Sequence, residues 1–489
     1  MTAAILGGAF LAGIFIGWPA VPLLGAIAIL AVLLDDRRIV IACGVVVLAS
    51  LGAWRAPDDA SFQFSQTALS QQPVRVASGV VRDTRYQLFE AEIGGIGRVC
   101  SIAYGGSVVG RGDQLIADID LRPLNALGPG LAASMRSRGC VGSATISNIT
   151  IEQQGSGLMR WIDDLRNRAA GQLEKWVPGD RGALLSGLVI GDDARLSDDV
   201  AEAFLDTGTF HIVAISGANL TLLIALLAVL TIWLPRPWSE IVPLLMVWAY
   251  VLVAGAGPPT VRAGMLALVV LLGRFRGRPI DLLTLTVLVA AMQAAIWPEV
   301  TLGLSFRLST VAMLVVMLVS FDHLERNWRN AIWTLALTSF AVNAALMPIL
   351  PVESRAALIP AVLANVLIAV PVALAFAIGL AALLIGTVSP PFGQSLAIIA
   401  GEINGLTIAI VQQVARLDAL PGWMVLDFSE ATQILVLLFA VLSVIACSRE
   451  SRRWIGDGVQ AAALREDSVL PMAWGIGAGA ILAIVVIVI

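Results

Sequence analysis

His211, Ser216, Gly217, Ala218 and Asn219 fall within one apolar run, GTFHIVAISGANLTLL. Polar side chains and glycine are costly in hydrocarbon unless they face a cavity or another helix. An unwound turn here would expose backbone groups at membrane depth, as the broken helices of transporters do. A small-residue helix contact accounts for Gly217 and Ala218, but it leaves His211 and Asn219 without a role. A nucleophilic pair of Ser216 and His211 is a third reading. Five residues on a regular helix set the two about 140° apart, so they meet only where the helix breaks. No carboxylate stands at helical spacing to orient the imidazole.

Further charges interrupt other apolar runs. Arg262 follows a Pro-Pro turn in PPTVRAGMLAL, and Arg307 lies between Ser305 and Ser309 in GLSFRLSTVAML. Glu402 and Asn404 break another run, and Asn343 and Asn365 two more. An arginine inside a span costs a few kcal/mol unless it snorkels, pairs or lines water. Guanidinium groups along a wet passage suit an anionic, phosphate-bearing solute; an arginine–glutamate pair that only holds helices together is the alternative.

The elements that must position these residues follow from composition. Charged residues make up 13% of the 489 and hydrophobic ones 58%, with a mean hydropathy of +0.87; a soluble chain carries about 25% charged residues. Lipid is the solvent that such a surface fits. Two histidines exclude a zinc site built on several of them. Apolar spans are predicted at 4–17, 20–34, 39–54, 209–233, 241–256, 259–273, 281–297, 299–320, 331–350, 357–388, 392–416, 430–447 and 471–489. The fold class expected is a polytopic α-helical membrane protein of about 11–13 spans with a small extracytoplasmic all-β domain. The basic loops at Arg37-Arg38, 274–278, Arg326/Arg329 and 449–453 all fall inside if the N-terminus is cytoplasmic and 357–388 is one span, kinked or tilted at Pro371. Residues 55–208 are then extracytoplasmic.

Within 72–153 the pattern alternates. β-branched segments at 74–81, 88–93, 98–104, 114–121 and 140–151 are separated by Gly-rich turns. Five short strands predict a small barrel of the OB type. Cys100 and Cys140 both lie in it; in an oxidising compartment they are expected to form a disulfide worth roughly 4 kcal/mol, with two buried thiols the other reading. Residues 157–208 are expected to be interfacial. Trp161, Ile162, Leu165, Ala169, Leu173 and Trp176 recur at helical spacing, on a helix that lies on the membrane or packs on the barrel. Residues 1–54 would form the N-terminal spans, 209–447 the main helical domain, and 448–489 a basic loop and a final span.

LLSGLVIGD, GTFHIVAISGANLTLL, PPTVRAGMLAL, GLSFRLSTVAML and AVLANVLIAVPVAL, in this order, resemble the competence domain of ComEC-type DNA-uptake channels. The resemblance runs up to about residue 445. It implies an inner-membrane channel that passes one DNA strand inward, without chemistry or cofactor of its own, and an extracytoplasmic OB-fold that meets incoming DNA. His211, Ser216, Gly217, Asn219, Arg262, Ser305 and Ser309 fall on the family's signature; Arg307 and Glu402 join them as lining candidates. The implied partners are single-stranded DNA, membrane lipid, DNA-receptor proteins and an external ATP-driven motor, since no Gly-x-x-x-x-Gly-Lys-Ser/Thr loop is present. Many members end in a metallo-β-lactamase-like domain; this chain stops at Ile489, and with two histidines no nuclease activity is expected. In the β-domain Arg82, Arg85, Tyr86, Arg98 and Tyr104 are the candidate DNA contacts. Eight arginines against six acids between 74 and 151, a net of +2, are a modest grip on phosphate, and Tyr86, Phe89 and Tyr104 serve as readily for a core as for stacking. The alternatives are a transporter of another anionic solute, a diverged cell-envelope homologue, and a membrane-embedded hydrolase using Ser216.

Overall fold

A computed structural model of the chain describes residues 67–419, apart from 83–85, 105–107, 193–195, 214–216, 236, 276–281, 319–327, 347–349 and 351–357. The predicted N-terminal spans, the spans beyond residue 429, Arg85 and Ser216 lie outside the described residues.

Alternation makes the strands. Every second residue of β3 (Tyr86–Ile93) and β5 (Gln114–Pro123) is buried, because a pleated strand sends successive side chains to opposite faces. With β1 (Thr67–Val76), β2 (Val81–Arg82), β4 (Gly97–Tyr104) and β6 (Gly142–Gln153) they form one sheet in the order β1-β5-β6-β4-β3-β2. Adjacent strands run antiparallel except β4 and β6, which are parallel. β1 also pairs with β3, Val74 opposite Ile93 and Val76 opposite Ala91, so the circuit of pairings returns to its start. Val74, Val76, Phe89, Ile93, Leu115, Ile119, Leu121 and Ile146 fill the interior.

Two features differ from the predicted strands. β1 begins at Thr67, where exposed polar residues weaken the hydrophobic signal, and it bulges between Leu69 and Gln72. The connection from β5 to β6 carries a short helix, α1 (Pro129–Ser137), opened by a proline at its first turn.

After the sheet come α2 (Leu158–Trp176), α3 (Asp180–Ile190) and α4 (Asp198–Asp206). Then follow α5 (Gly217–Thr231), α6 (Trp238–Val253), α7 (Pro258–Phe275), α8 (Leu282–Ile296), α9 (Leu304–Leu318), α10 (Trp328–Leu346), α11 (Leu358–Gly386) and α12 (Pro390–Ala415). α5 to α12 fall on the eight apolar runs predicted between 209 and 416. α11 is a single helix with Pro371 inside it. α11 and α12 are long and apolar enough to cross a membrane.

α3 is the buried centre of the helical part. Its Leu185 and Val189 belong to one apolar cluster with Leu173, Leu220, Val251 and Phe376, and Leu184 and Leu188 to a second with Phe204, Ile368 and Val411. Gly386 of α11 leaves room only for the Trp176 ring, and a Cβ on Gly393 would strike the Gly386 backbone. These glycines let the α11–α12 hairpin close tightly.

Candidate functional site

β3 and β4 present one face outward. Tyr86 stands directly opposite Tyr104, the rings meeting edge to face with centroids 6.4 Å apart. Tyr104 is 62% exposed and Leu88 beside it is exposed as well, whereas Phe89 is buried. Strand parity separates the three aromatics: Phe89 packs the core and both tyrosines leave it. Arg98 pairs with Glu90 at 3.3 Å, so part of its charge is answered within the sheet. The Arg82 side chain lies outside the described residues. Cys100 is bonded to Cys140, with Cα atoms 5.6 Å apart, which ties β4 to the chain just beyond α1.

The β-domain is joined to α2 by a crossed pair of ion pairs. Arg111 and Asp113 sit in the β4–β5 loop; Arg160 and Asp163 sit one turn apart on α2. Arg111 Nε lies 2.6 Å from Asp163 Oδ2, and Arg160 Nη1 donates to Asp113 Oδ1 at 2.5 Å. Asp113, fully buried, also accepts from Gly110 N and Gly155 N at 2.7 Å each. Arg160 reaches the Arg111 carbonyl besides. Burial raises the Asp163 carboxyl above its ordinary range, against the lowering effect of Arg111. Glycine is required where backbone meets backbone: a Cβ on Gly155 would run into the Arg111 carbonyl and Gly112. Gly155→Ala should therefore destabilise the protein by about 1–3 kcal/mol, the usual penalty of overpacking, read as a lower unfolding midpoint. A neutral result would show that the loop yields freely.

α2 was expected to lie on the membrane or pack on the β-domain through its apolar stripe. Ile162, Ala170 and Leu173 are buried and Trp161 is exposed. The contact with the β-domain is made by the charged residues, and the apolar face goes to the helical part.

The residues singled out in the helices are not gathered in one place. Around the run at 209–219, α4 ends at Asp206, Phe210–Ile212 is a 3-10 turn, and α5 starts at Gly217. His211 is exposed on that turn, its Nδ1 3.1 Å from the Gly208 carbonyl. Gly217 is exposed and a Cβ there would meet nothing. Asn219 is buried and donates to the Leu188 carbonyl at 3.2 Å, joining α5 to α3. Arg262 is fully buried between α7 and α9, Nη1 donating to Thr310 Oγ1 at 2.7 Å and Cζ standing 4.9 Å from the Phe306 ring centre. Ser305 is exposed and Ser309 half-buried. Arg307 donates from Nε to the Thr301 carbonyl at 3.2 Å, holding the 3-10 turn Pro298–Leu302 that precedes its helix. α1 packs against this same turn, with Ser137 close to Gly303. Glu402 accepts from Arg181 Nη1 at 2.5 Å, and both side chains are at least half exposed. Asn343 and Asn365 converge on Ser339, a polar clasp between α10 and α11.

Sequence reasoning missed the joint. Its only signal is a pair of short patterns, Arg111-Gly-Asp113 and Arg160-Trp-Ile-Asp163, each with opposite charges at a spacing that could face the other.

Among known proteins, the family described as "Competence protein" matches residues 188–453, from the end of α3 past α12. The protein named "ComE operon protein 3" from Bacillus subtilis (strain 168) is 33% identical over 99 residues, a stretch that covers 20% of this chain and 13% of that protein. No solved structure matches the chain.

Proposed function

The chain belongs to the Competence protein family, and from that premise we propose that it is an inner-membrane channel through which single-stranded DNA enters the cell. The family match over 188–453 carries the reading. The two helices of membrane-crossing length and the four basic loops of the sequence support a membrane location with those loops in the cytoplasm and the β-domain outside.

The β-domain is the receiving element. A circuit of pairings that returns to β1, with one parallel pair between β4 and β6, supports an OB-type barrel, whose strand faces bind oligonucleotides. The Tyr86–Tyr104 pair, half-buried at Tyr86 and exposed at Tyr104, suits base stacking, which tolerates any sequence because every base has a π-face. The modest net charge of the domain makes stacking the larger part of its grip. The crossed ion pairs hold this face in one orientation to the helices that carry the strand onward. Passage inward is driven by an ATP-dependent motor outside this chain.

A double substitution, Tyr86→Ala with Tyr104→Ala, should weaken binding of oligothymidylate to the full-length protein by about 1–3 kcal/mol for each lost stack. Nuclease-protected DNA should fall in cells that carry it, while DNA held at the surface by receptor proteins stays. Unchanged binding would remove the β3–β4 face from the route.

A further inference from the structure

Arg262 heads the fully buried side chains of the described residues by size, and among those residues no carboxylate pairs with it. Its Nη1 has two neutral acceptors, Thr310 Oγ1 at 2.7 Å and the Phe306 carbonyl at 3.4 Å. Its Nε and Nη2 are buried and have no partner among the described residues. Gln293 of α8 holds the Pro258 carbonyl, one turn before Arg262, through its Nε2; its Oε1 is also buried and open.

A guanidinium cannot shed its proton in a protein, so the fold encloses a full positive charge among neutral groups. The free edge is the informative one. Nε and Nη2 carry parallel N–H bonds, the fork that matches two oxygens of one oxyanion. The Phe306 ring, itself buried, stacks on the face of the guanidinium, and with Arg262 fully buried the fork is out of reach while α7 and α9 stay in contact.

We propose that the Nε–Nη2 edge of Arg262 is a phosphate-oxyanion site, enclosed here with Phe306 stacked on the guanidinium and filled when the seam between α7 and α9 parts. Thr310 steers the guanidinium from behind and leaves the fork free. The proposal rests on the channel reading only for the source of the phosphate, a diester of the passing strand. A lipid headgroup or free phosphate offers the same chemistry.

The test uses the full-length protein in dodecyl maltoside at fixed ionic strength. Thermal unfolding is followed with inorganic phosphate, a thymidine pentanucleotide or phosphatidylglycerol added in turn. At least one probe should raise the midpoint in the wild type; the shift should vanish in Arg262→Gln and shrink in Arg262→Lys, which keeps the charge and loses the fork. Phe306→Ala should tighten the apparent affinity about tenfold by opening the cover, and this arm decides the matter if Arg262→Gln does not fold. A shift confined to the pentanucleotide identifies the strand, and one confined to phosphatidylglycerol identifies lipid. No shift with any probe, an equal shift in Arg262→Gln (an adventitious ion only), or an affinity that Phe306→Ala leaves unchanged would overturn the site. DNA uptake measured in parallel separates the two ideas: uptake without Arg262-dependent binding sinks the site alone, and binding without uptake sinks the channel alone.

Discussion

Asp113→Ala should cost about 3–5 kcal/mol of stability, the range for breaking a buried ion pair from one side. The carboxylate is almost wholly enclosed and serves three donors, Gly110 N, Gly155 N and Arg160 Nη1. Its removal leaves two backbone N–H groups without an acceptor and takes from the Arg160 guanidinium its buried partner, leaving it the Arg111 carbonyl and Asp164; an unsatisfied buried group loses its full hydration. Arg160→Ala should cost less, because the two backbone donors keep their partner. The second consequence is geometric. Spin labels on the exposed Tyr104 position and on the exposed end of α12 should give a narrow distance distribution in the parent protein and a broad one in Asp113→Ala. A loss below about 1 kcal/mol, the scale of a screened surface pair, would mean that the joint is solvated and does not fix the β-domain.

Removing the Cys100–Cys140 bond should cost roughly 4 kcal/mol by the loop-closure estimate for a separation of 40 residues. The loss should concentrate in the β-domain. The bond links β4 to the start of β6, and the loop it closes contains β5 and α1, so reduction frees the segment that docks on Pro298–Leu302. Hydrogen exchange of β4 and β6 amides in the full-length Cys100→Ser, Cys140→Ser protein reports this directly. Unaltered protection would assign the stability of the sheet to its apolar interior alone.

Periodicity made a good part of the fold readable. Alternating apolar residues marked the strands, and eight apolar runs marked α5 to α12, because both patterns depend on neighbours a few residues away. The disulfide was readable too, since two cysteines shared one small β-domain. α1 was not: Pro129–Ser137 is short and weakly apolar, and its packing partner lies about 160 residues further on. The joint escaped for the same reason. Nothing local to Arg111 and Asp113 says that Asp163 and Arg160 will face them across about 50 residues. In the helices the sequence marked costly groups correctly as groups that need partners, but not which partners they take. Asn219 finds a carbonyl of α3 and Glu402 finds Arg181, while Arg262 is enclosed with its Nε and Nη2 open among the described residues.

The central claim is that a DNA strand crosses the membrane through this protein, and a deletion strain tests it most directly. Cells that lack the protein are given end-labelled duplex DNA, and label protected from external nuclease is measured against the parent and a complemented strain. Conduction predicts normal growth, label that still binds the surface, and a loss of protected label of at least about two orders of magnitude, restored by the wild-type copy. Protected label at the parental level in the deletion strain would contradict the channel.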